Sequence, residues 1–313
     1  MPLDAQTAGF LQQLEAAGAQ PFHALPPPES RAAFSALIGM LPSSDADIAG
    51  TEDRRIPGPG GELALRVYTP KGEGPFPVFV YFHGGGFVIG CVNDYDPVCR
   101  ELCARVGCLV VSVDYRLAPE HPFPAAPDDC FAATQWVAAH AASLGGDPSR
   151  IVVGGDSAGG NLAAVVTQRA RRQGGPDLIG QLLIYPATQA GEMTQSIIDN
   201  AEGYLLTQAD MAYFFGHYVG DAPDVTNPDL APLRADDLSG LPPAWVVTCE
   251  FDPLRDEGEA YAAALRDAGV PVQARRIDGA IHGSWNFYAV LSRGGEIMND
   301  AVEWLKNRYE AVV

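Results

Sequence analysis

From residue 76 onward the chain alternates short apolar runs with helical patterns. This alternation constrains the fold more than any other feature of the sequence. The runs are Phe76–Phe82, Cys108–Val113, Ile151–Gly155, Leu178–Tyr185, Ala244–Cys249 and Val270–Ile277, most of them rich in Val, Ile and Leu. Strands that are apolar on both faces belong to a parallel sheet covered by helices on both sides, so the expected class is α/β. The segment Asp96-Pro97 reads as an N-cap followed by proline at the first helical position; Val98, Leu102 and Val106 then share a face, and Gly107 reads as the stop. Before residue 76, Leu63-Ala64-Leu65-Arg66-Val67 alternates like a half-buried strand and suggests an antiparallel lead-in to the sheet.

Two further segments stand outside this rhythm. Residues 7–17 and 30–41 read as amphipathic helices, the second with Phe34, Leu37, Ile38 and Leu41 on one face, separated by the proline-rich stretch Leu25 to Glu29. Residues 188–223 carry no clear strand but hold Leu205, Leu206, Met211, Tyr213, Phe214, Phe215 and Tyr218. One reading is an ordinary inserted helix with core aromatics. The other is a lid that packs with the N-terminal helices over a site.

Gly155-Asp156-Ser157-Ala158-Gly159 lies between the run Ile151–Val153 and the helical pattern Asn161–Arg172. This is the G-x-S-x-G nucleophile elbow in the strand–turn–helix context that it requires. The glycines allow close backbone approach, the turn lifts the serine hydroxyl from the sheet, and the helix N-terminus offers N–H groups to developing negative charge. His83-Gly84-Gly85-Gly86 follows another apolar run and reads as the partner loop. The expected oxyanion donors are the amides of Gly84, Gly85, Gly86 and Ala158, with His83 holding the loop.

A nucleophilic serine needs a base, and the base needs an orienting carboxylate, in the chain order Ser, Asp or Glu, His. Two histidines follow Ser157. His217 lies in the aromatic insertion, whereas His282 lies just after the run Val270–Ile277, where α/β sites assemble, and is the expected base. Asp252, directly after the run Ala244–Cys249, is the expected acid. Asp278 would have to fold back to reach His282, and Glu250 and Asp256 are nearby alternatives.

Five motifs stand in one order: His83-Gly84-Gly85-Gly86, Asp114-Tyr115-Arg116-Leu117-Ala118-Pro119-Glu120, the elbow, Asp252-Pro253-Leu254-Arg255-Asp256-Glu257 and His282-Gly283. On these residues the chain resembles bacterial esterases of the hormone-sensitive lipase family, from about residue 60 to 290. The resemblance implies an α/β-hydrolase fold, a carboxylesterase with the triad Ser157, Asp252 and His282, and a preference for short to medium acyl chains. It also implies a catalytic domain over 46–187 and 224–313, a helical cap over 1–45 and 188–223, and a homodimer through an edge strand. Ser284 departs from the apolar or aromatic residue that often follows His-Gly in that family. An amidase or deacetylase with the same triad, or a binding protein on the same fold, is an alternative.

Charge and cysteine usage narrow the remaining classes. With 20 Lys and Arg against 39 Asp and Glu, the net charge of −19 repels phosphate backbones and anionic lipid surfaces, so neither nucleic acid nor membrane is an expected partner. The six cysteines form no C-x-x-C pair, and the histidines show no metal-ligand spacing. No cofactor is expected. The first basic residue is Arg31 and no apolar run approaches the roughly 20 residues of a membrane helix, so the expectation is a soluble, cytoplasmic enzyme acting on a small-molecule ester.

Overall fold

The computed structural model describes residues 2–220 and 224–312. Among the described residues eight strands form one sheet: β1 (Gly50–Gly58), β2 (Gly61–Thr69), β3 (Phe76–Phe82), β4 (Leu109–Asp114), β5 (Gly146–Asp156), β6 (Gly180–Ile184), β7 (Ala244–Phe251) and β8 (Val272–Ile281). Their spatial order is β1-β2-β4-β3-β5-β6-β7-β8. Only β2 runs against the others, pairing antiparallel with β1 and with β4. The sheet is therefore the mostly parallel α/β sheet expected from the alternating apolar runs.

The chain passes from β3 outward to β4 and then returns across β3 to β5. The carboxyl ends of β3 and β5 thus flank a crevice at the point where the winding reverses, the place where open α/β sheets bind ligands. The central strands carry this crevice because they are apolar on both faces: all of β6 and every residue of β3 from Val78 on are buried. Helix α3 (Asp96–Val106), α4 (Ala125–His140), α5 (Ala158–Gln173), α8 (Arg255–Asp267) and α9 (Ser292–Glu310) cover the sheet. Among the described residues, no helix is long and apolar enough to cross a membrane.

Several boundaries differ from the sequence reading, each for a local reason. Helix α2 spans Pro27–Gly39, so the prolines do not separate the helices; they start the second one, where a missing N–H costs nothing. The connection to α1 (Ala5–Ala16) instead holds a short 3₁₀ turn, Phe22–Ala24. Asp96 is not the cap of α3. Tyr95 holds that position and Pro97 is second in the helix. The Asp96 carboxylate is drawn instead to Arg100 at 2.6 Å and to the Tyr68 hydroxyl at 3.1 Å. Gly107 does end α3, in the left-handed conformation at φ 72°.

The insertion after β6 contains α6 (Gln195–Asp199) and α7 (Gln208–Val219); its last predicted residues, 221–223, lie outside the described residues. A capping box starts α7: Thr207 Oγ1 accepts from the Asp210 amide at 3.0 Å, and Asp210 Oδ2 accepts from the Thr207 amide at 3.2 Å. The other oxygen of the same carboxylate accepts from the His23 amide at 2.9 Å. The Tyr213 hydroxyl donates to the Leu25 carbonyl at 3.0 Å, and Phe22 packs against both Phe34 and Phe214. The N-terminal segment and the insertion therefore share one apolar layer that neither could bury alone.

The run after β4 is tied to helix α4. Arg116 grips Asp129 of α4 with two bonds of 2.8 Å, and Asp129 is almost fully buried. Replacing Arg116 by Ala should destabilise the fold by about 2–3 kcal/mol. That lies below the roughly 3–5 kcal/mol of a fully buried pair, because Arg116 is partly exposed. Urea unfolding followed by circular dichroism checks this value.

Candidate active site

The serine sits at the end of β5 with φ 56° and ψ −117°, a conformation few residues other than glycine adopt. Surrounding bonds hold it there: the Ser157 amide donates to the Ile184 carbonyl at 2.8 Å, and its carbonyl accepts from Asn161 at 3.0 Å. The flanking glycines answer to packing. A side chain at Gly155 or Gly159 would run into the Phe82 carbonyl oxygen. The close approach of β3, β5 and α5 thus dictates both glycines of the motif.

His282 directly follows β8, which extends four residues beyond the predicted run. Asp278 and Gly279 therefore belong to a strand, not to a loop, and Asp278 is exposed. Asp252 directly follows β7 and is fully buried. Its Oδ2 lies 2.8 Å from His282 Nδ1, and its Oδ1 accepts from the Leu254 amide at 2.8 Å. A carboxylate only accepts, so this pairing puts the proton on Nδ1. His282 Nε2 is then left facing Ser157 Oγ at 3.0 Å. The three residues singled out in the sequence thus form one hydrogen-bonded line from three strand ends. The alternatives are engaged elsewhere: Glu250 accepts from the Gly279 amide at 2.7 Å, Asp256 from the Ser196 amide at 2.7 Å, and the ring of His217 packs edge-on against Tyr213.

The glycine loop requires a correction. Gly84 does not offer its N–H to the crevice, because that N–H donates to Asp156 Oδ1 at 3.0 Å. Among the described residues, the amides of Gly85, Gly86 and Ala158 have no protein acceptor. His83 is a loop holder, as expected: its Nδ1 lies 2.7 Å from the Gly84 carbonyl, its ring stacks on Tyr115, and burial lowers its pKa and keeps it neutral. Ser284 faces away from the crevice; its hydroxyl donates to the Ile281 carbonyl at 2.8 Å and closes the turn after β8.

A cavity of about 340 Å³ opens over Ser157 and His282. Its roof comes from both segments outside the sheet rhythm: Phe22, Phe34 and Leu37 from one, Leu205, Met211, Phe214 and Phe215 from the other. Helix α7 also presses on the glycine loop, since Phe87 stacks on Tyr218 with ring centroids 3.7 Å apart. Helix α1 supplies no lining residue among those described. It packs one layer back, with Phe10 against Phe287 at 4.6 Å.

Two residues of the site gave no usable signal in the sequence. Asn161 lies one turn after Ser157 and donates to the Ala187 and Leu230 carbonyls at 2.8 and 2.9 Å, gripping both ends of the insertion. Glu257 lines the cavity and accepts from the Thr188 and Gln189 amides at 2.7 and 3.2 Å. Burial pushes the Glu257 carboxyl up to about 8, against the pull of those two amides. The folded protein therefore holds a proton that the unfolded chain releases. The contribution of Glu257 to stability is fully present below about pH 4.5 and is lost as pH rises towards 8. Replacing Glu257 by Gln should flatten this slope: between pH 5 and pH 8 the urea midpoint of the native protein should fall further than that of the variant.

A family model described as alpha/beta hydrolase fold matches residues 79–286. The carboxylesterase NlhH of Mycobacterium tuberculosis is 46% identical over 255 residues, covering 80% of each chain. The carboxylic ester hydrolase LipN of the same organism is 43% identical over 283 residues, covering 88% of this chain and 75% of the relative. Among solved structures, a hyperthermophilic esterase from the archaeon Pyrobaculum calidifontis aligns over 100% of both chains, with a TM-score of 0.94 and 44% identity.

Proposed function

The chain belongs to the alpha/beta hydrolase fold family and is a carboxylic ester hydrolase of it, and we propose that it works as a serine carboxylesterase through an acyl-enzyme. The single observation that carries this reading is the line Ser157 Oγ–His282 Nε2–Asp252 at 3.0 and 2.8 Å. In it, His282 takes the hydroxyl proton as Ser157 attacks the ester carbonyl. Asp252 holds the imidazole in the required tautomer and stabilises the imidazolium. The amides of Gly85, Gly86 and Ala158 receive the oxyanion, and Gly84 supports them from behind. His282 then protonates the leaving alkoxide, and water repeats the sequence on the acyl-enzyme. The relatives LipN and NlhH are ester hydrolases, which favours an ester over an amide as the bond cleaved.

The layer formed by residues 1–45 and the insertion serves in this reading as a cap that walls the acyl pocket and excludes water. A largely apolar cavity of about 340 Å³ suits short to medium acyl chains. All six cysteines are unpaired, which supports a reducing, cytoplasmic setting. Strand β8 lies at one edge of the sheet, and a homodimer of the kind the resemblance implies would pair there.

Replacing Ser157 by Ala should lower kcat by roughly 10⁶ while the protein stays folded, because the triad acts as a unit. Asp252→Asn should cost about 10⁴, since the amide favours the other imidazole tautomer. Asp278→Asn, at an exposed position, should cost far less. Steady-state hydrolysis of p-nitrophenyl acetate by the three folded variants separates these outcomes. A serine variant that keeps a tenth of the activity refutes the assignment.

Phe214 tests the cap. It is buried between Phe22 and Gly86, and any side chain at Gly86 would collide with its ring. Phe214→Leu should enlarge the cavity at modest cost to stability. The kcat/KM optimum across p-nitrophenyl acetate to decanoate should then move to longer chains. An unchanged profile would place the acyl chain elsewhere.

A further inference from the structure

We propose that Asp156, the residue before the nucleophile, is a positioning residue that holds the glycine loop and the base-bearing loop in register with Ser157. The inference deepens the serine-esterase reading and rests on it. Asp156 is 2% exposed, and among the described residues no cation lies within ion-pair distance of its carboxylate. Such a group is retained only where donors replace its water. Three do so, and each comes from outside the elbow. Tyr81 on β3 donates to Oδ1 at 2.6 Å, the Gly84 amide donates to Oδ1 at 3.0 Å, and Tyr95 at the start of α3 donates to Oδ2 at 3.4 Å.

The two tyrosine hydroxyls are held in turn from the segment that follows His282. Trp285 Nε1 donates to the Tyr81 hydroxyl at 3.0 Å, and Asn286 Nδ2 donates to the Tyr95 hydroxyl at 3.3 Å. An indole N–H and an amide NH₂ can only donate, and a carboxylate can only accept. Every hydroxyl proton in the network is thereby directed from the base-bearing loop towards Asp156. Burial raises the Asp156 carboxyl to about 6, against the pull of Tyr81, His282 and Gly84, so the accepting ion is the form present at neutral pH.

Gly84 explains why this network bears on the chemistry. Its peptide is fixed on both sides: the N–H by Asp156, and the carbonyl by His83 Nδ1 at 2.7 Å. The next two amides, Gly85 and Gly86, have no acceptor among the described residues and remain free for an oxyanion. A side chain at Gly84 would overlap the Asp156 carboxylate. That glycine is therefore required by the carboxylate and not by the oxyanion. Without the carboxylate the loop loses its anchor, and the donors lose their aim at the point where charge develops. Displaced oxyanion donors cost about 10²–10³ in rate.

The test uses Asp156→Ala, Asp156→Asn, Tyr81→Phe and Ser157→Ala in the full chain, with two readouts. One is kcat and KM for p-nitrophenyl acetate. The other is the affinity of phenylboronic acid, which forms a tetrahedral adduct on a reactive serine. Asp156→Ala should lower kcat about 10²-fold with KM within about twofold, and boronate affinity should fall in parallel. Asp156→Asn keeps an acceptor for the Gly84 amide and should recover most of that loss. Tyr81→Phe should lower kcat about tenfold, and it serves as the decisive variant if Asp156→Ala fails to fold. An unchanged kcat in either folded variant, or a loss confined to thermal stability with boronate affinity intact, overturns the proposal. An Asn variant as impaired as the Ala variant overturns it too. Activity surviving in Ser157→Ala would instead overturn the serine reading, and this proposal with it.

Discussion

The backbone at Ser157 holds its positive-φ conformation where β3, β5 and α5 come so close that no side chain fits at Gly155 or Gly159, and bonds to Ile184 and Asn161 fix it there. The rest of the site depends on that approach. The Phe82 carbonyl oxygen occupies the space where a Cβ of either glycine would stand. The same contact brings the loop after β3 beside the elbow, where Asp156 can reach the Gly84 amide. A strained serine, a glycine loop and a helix N-terminus thus share one location because the sheet packs two adjacent parallel strands against one helix. Strain of this kind persists where surrounding structure over-determines it.

Helix α5 carries a second set of constraints outward from the serine. Nearly all of it is buried, and its polar residues fix the chain on either side of the insertion. Asn161 bonds the carbonyls of Ala187 and Leu230, Gln168 Nε2 donates to the Pro232 carbonyl at 2.9 Å, and Arg169 Nε donates to Asp229 at 3.0 Å. From the other side, α6 is hooked to the acid-bearing loop, since the Ser196 hydroxyl donates to the Pro253 carbonyl at 2.7 Å. The first basic residue of the chain, Arg31, ties α2 to the Val88 and Ala118 carbonyls at 2.8 and 2.9 Å. The roof over the cavity is therefore anchored to the loops that hold Ser157, Asp252 and the glycine run.

Some expectations failed for a shared reason. Asp-Pro is a local helix-start signal, yet the Asp96 carboxylate serves Arg100 and Tyr68. Three glycines after a histidine point to Gly84 as an oxyanion donor, yet its amide is consumed by Asp156. In each case a local pattern correctly named the segment, and a partner far along the chain decided what the polar group did. Helix α1 shows the same limit for apolar groups. Its amphipathic face is legible, but which neighbour covers it is not: Phe10 meets Phe287 and leaves the cavity wall to α2 and α7.

By itself the sequence determined the α/β class, the elbow, the glycine loop and the choice of Ser157, Asp252 and His282 as the residues that the fold brings into one hydrogen-bonded line. These depend on backbone demands and on strand ends, which local residue types express directly. Tertiary structure alone decided the hub at Asp156, the clamp at Asn161 and the buried carboxyl at Glu257. The bonds that define them join residues 72, 69 and 69 positions apart. No local pattern distinguishes Asp156, Asn161 or Glu257 from an ordinary polar residue on a turn or a helix. What gives each its role is the loss of water around it, and only the packed chain removes that water.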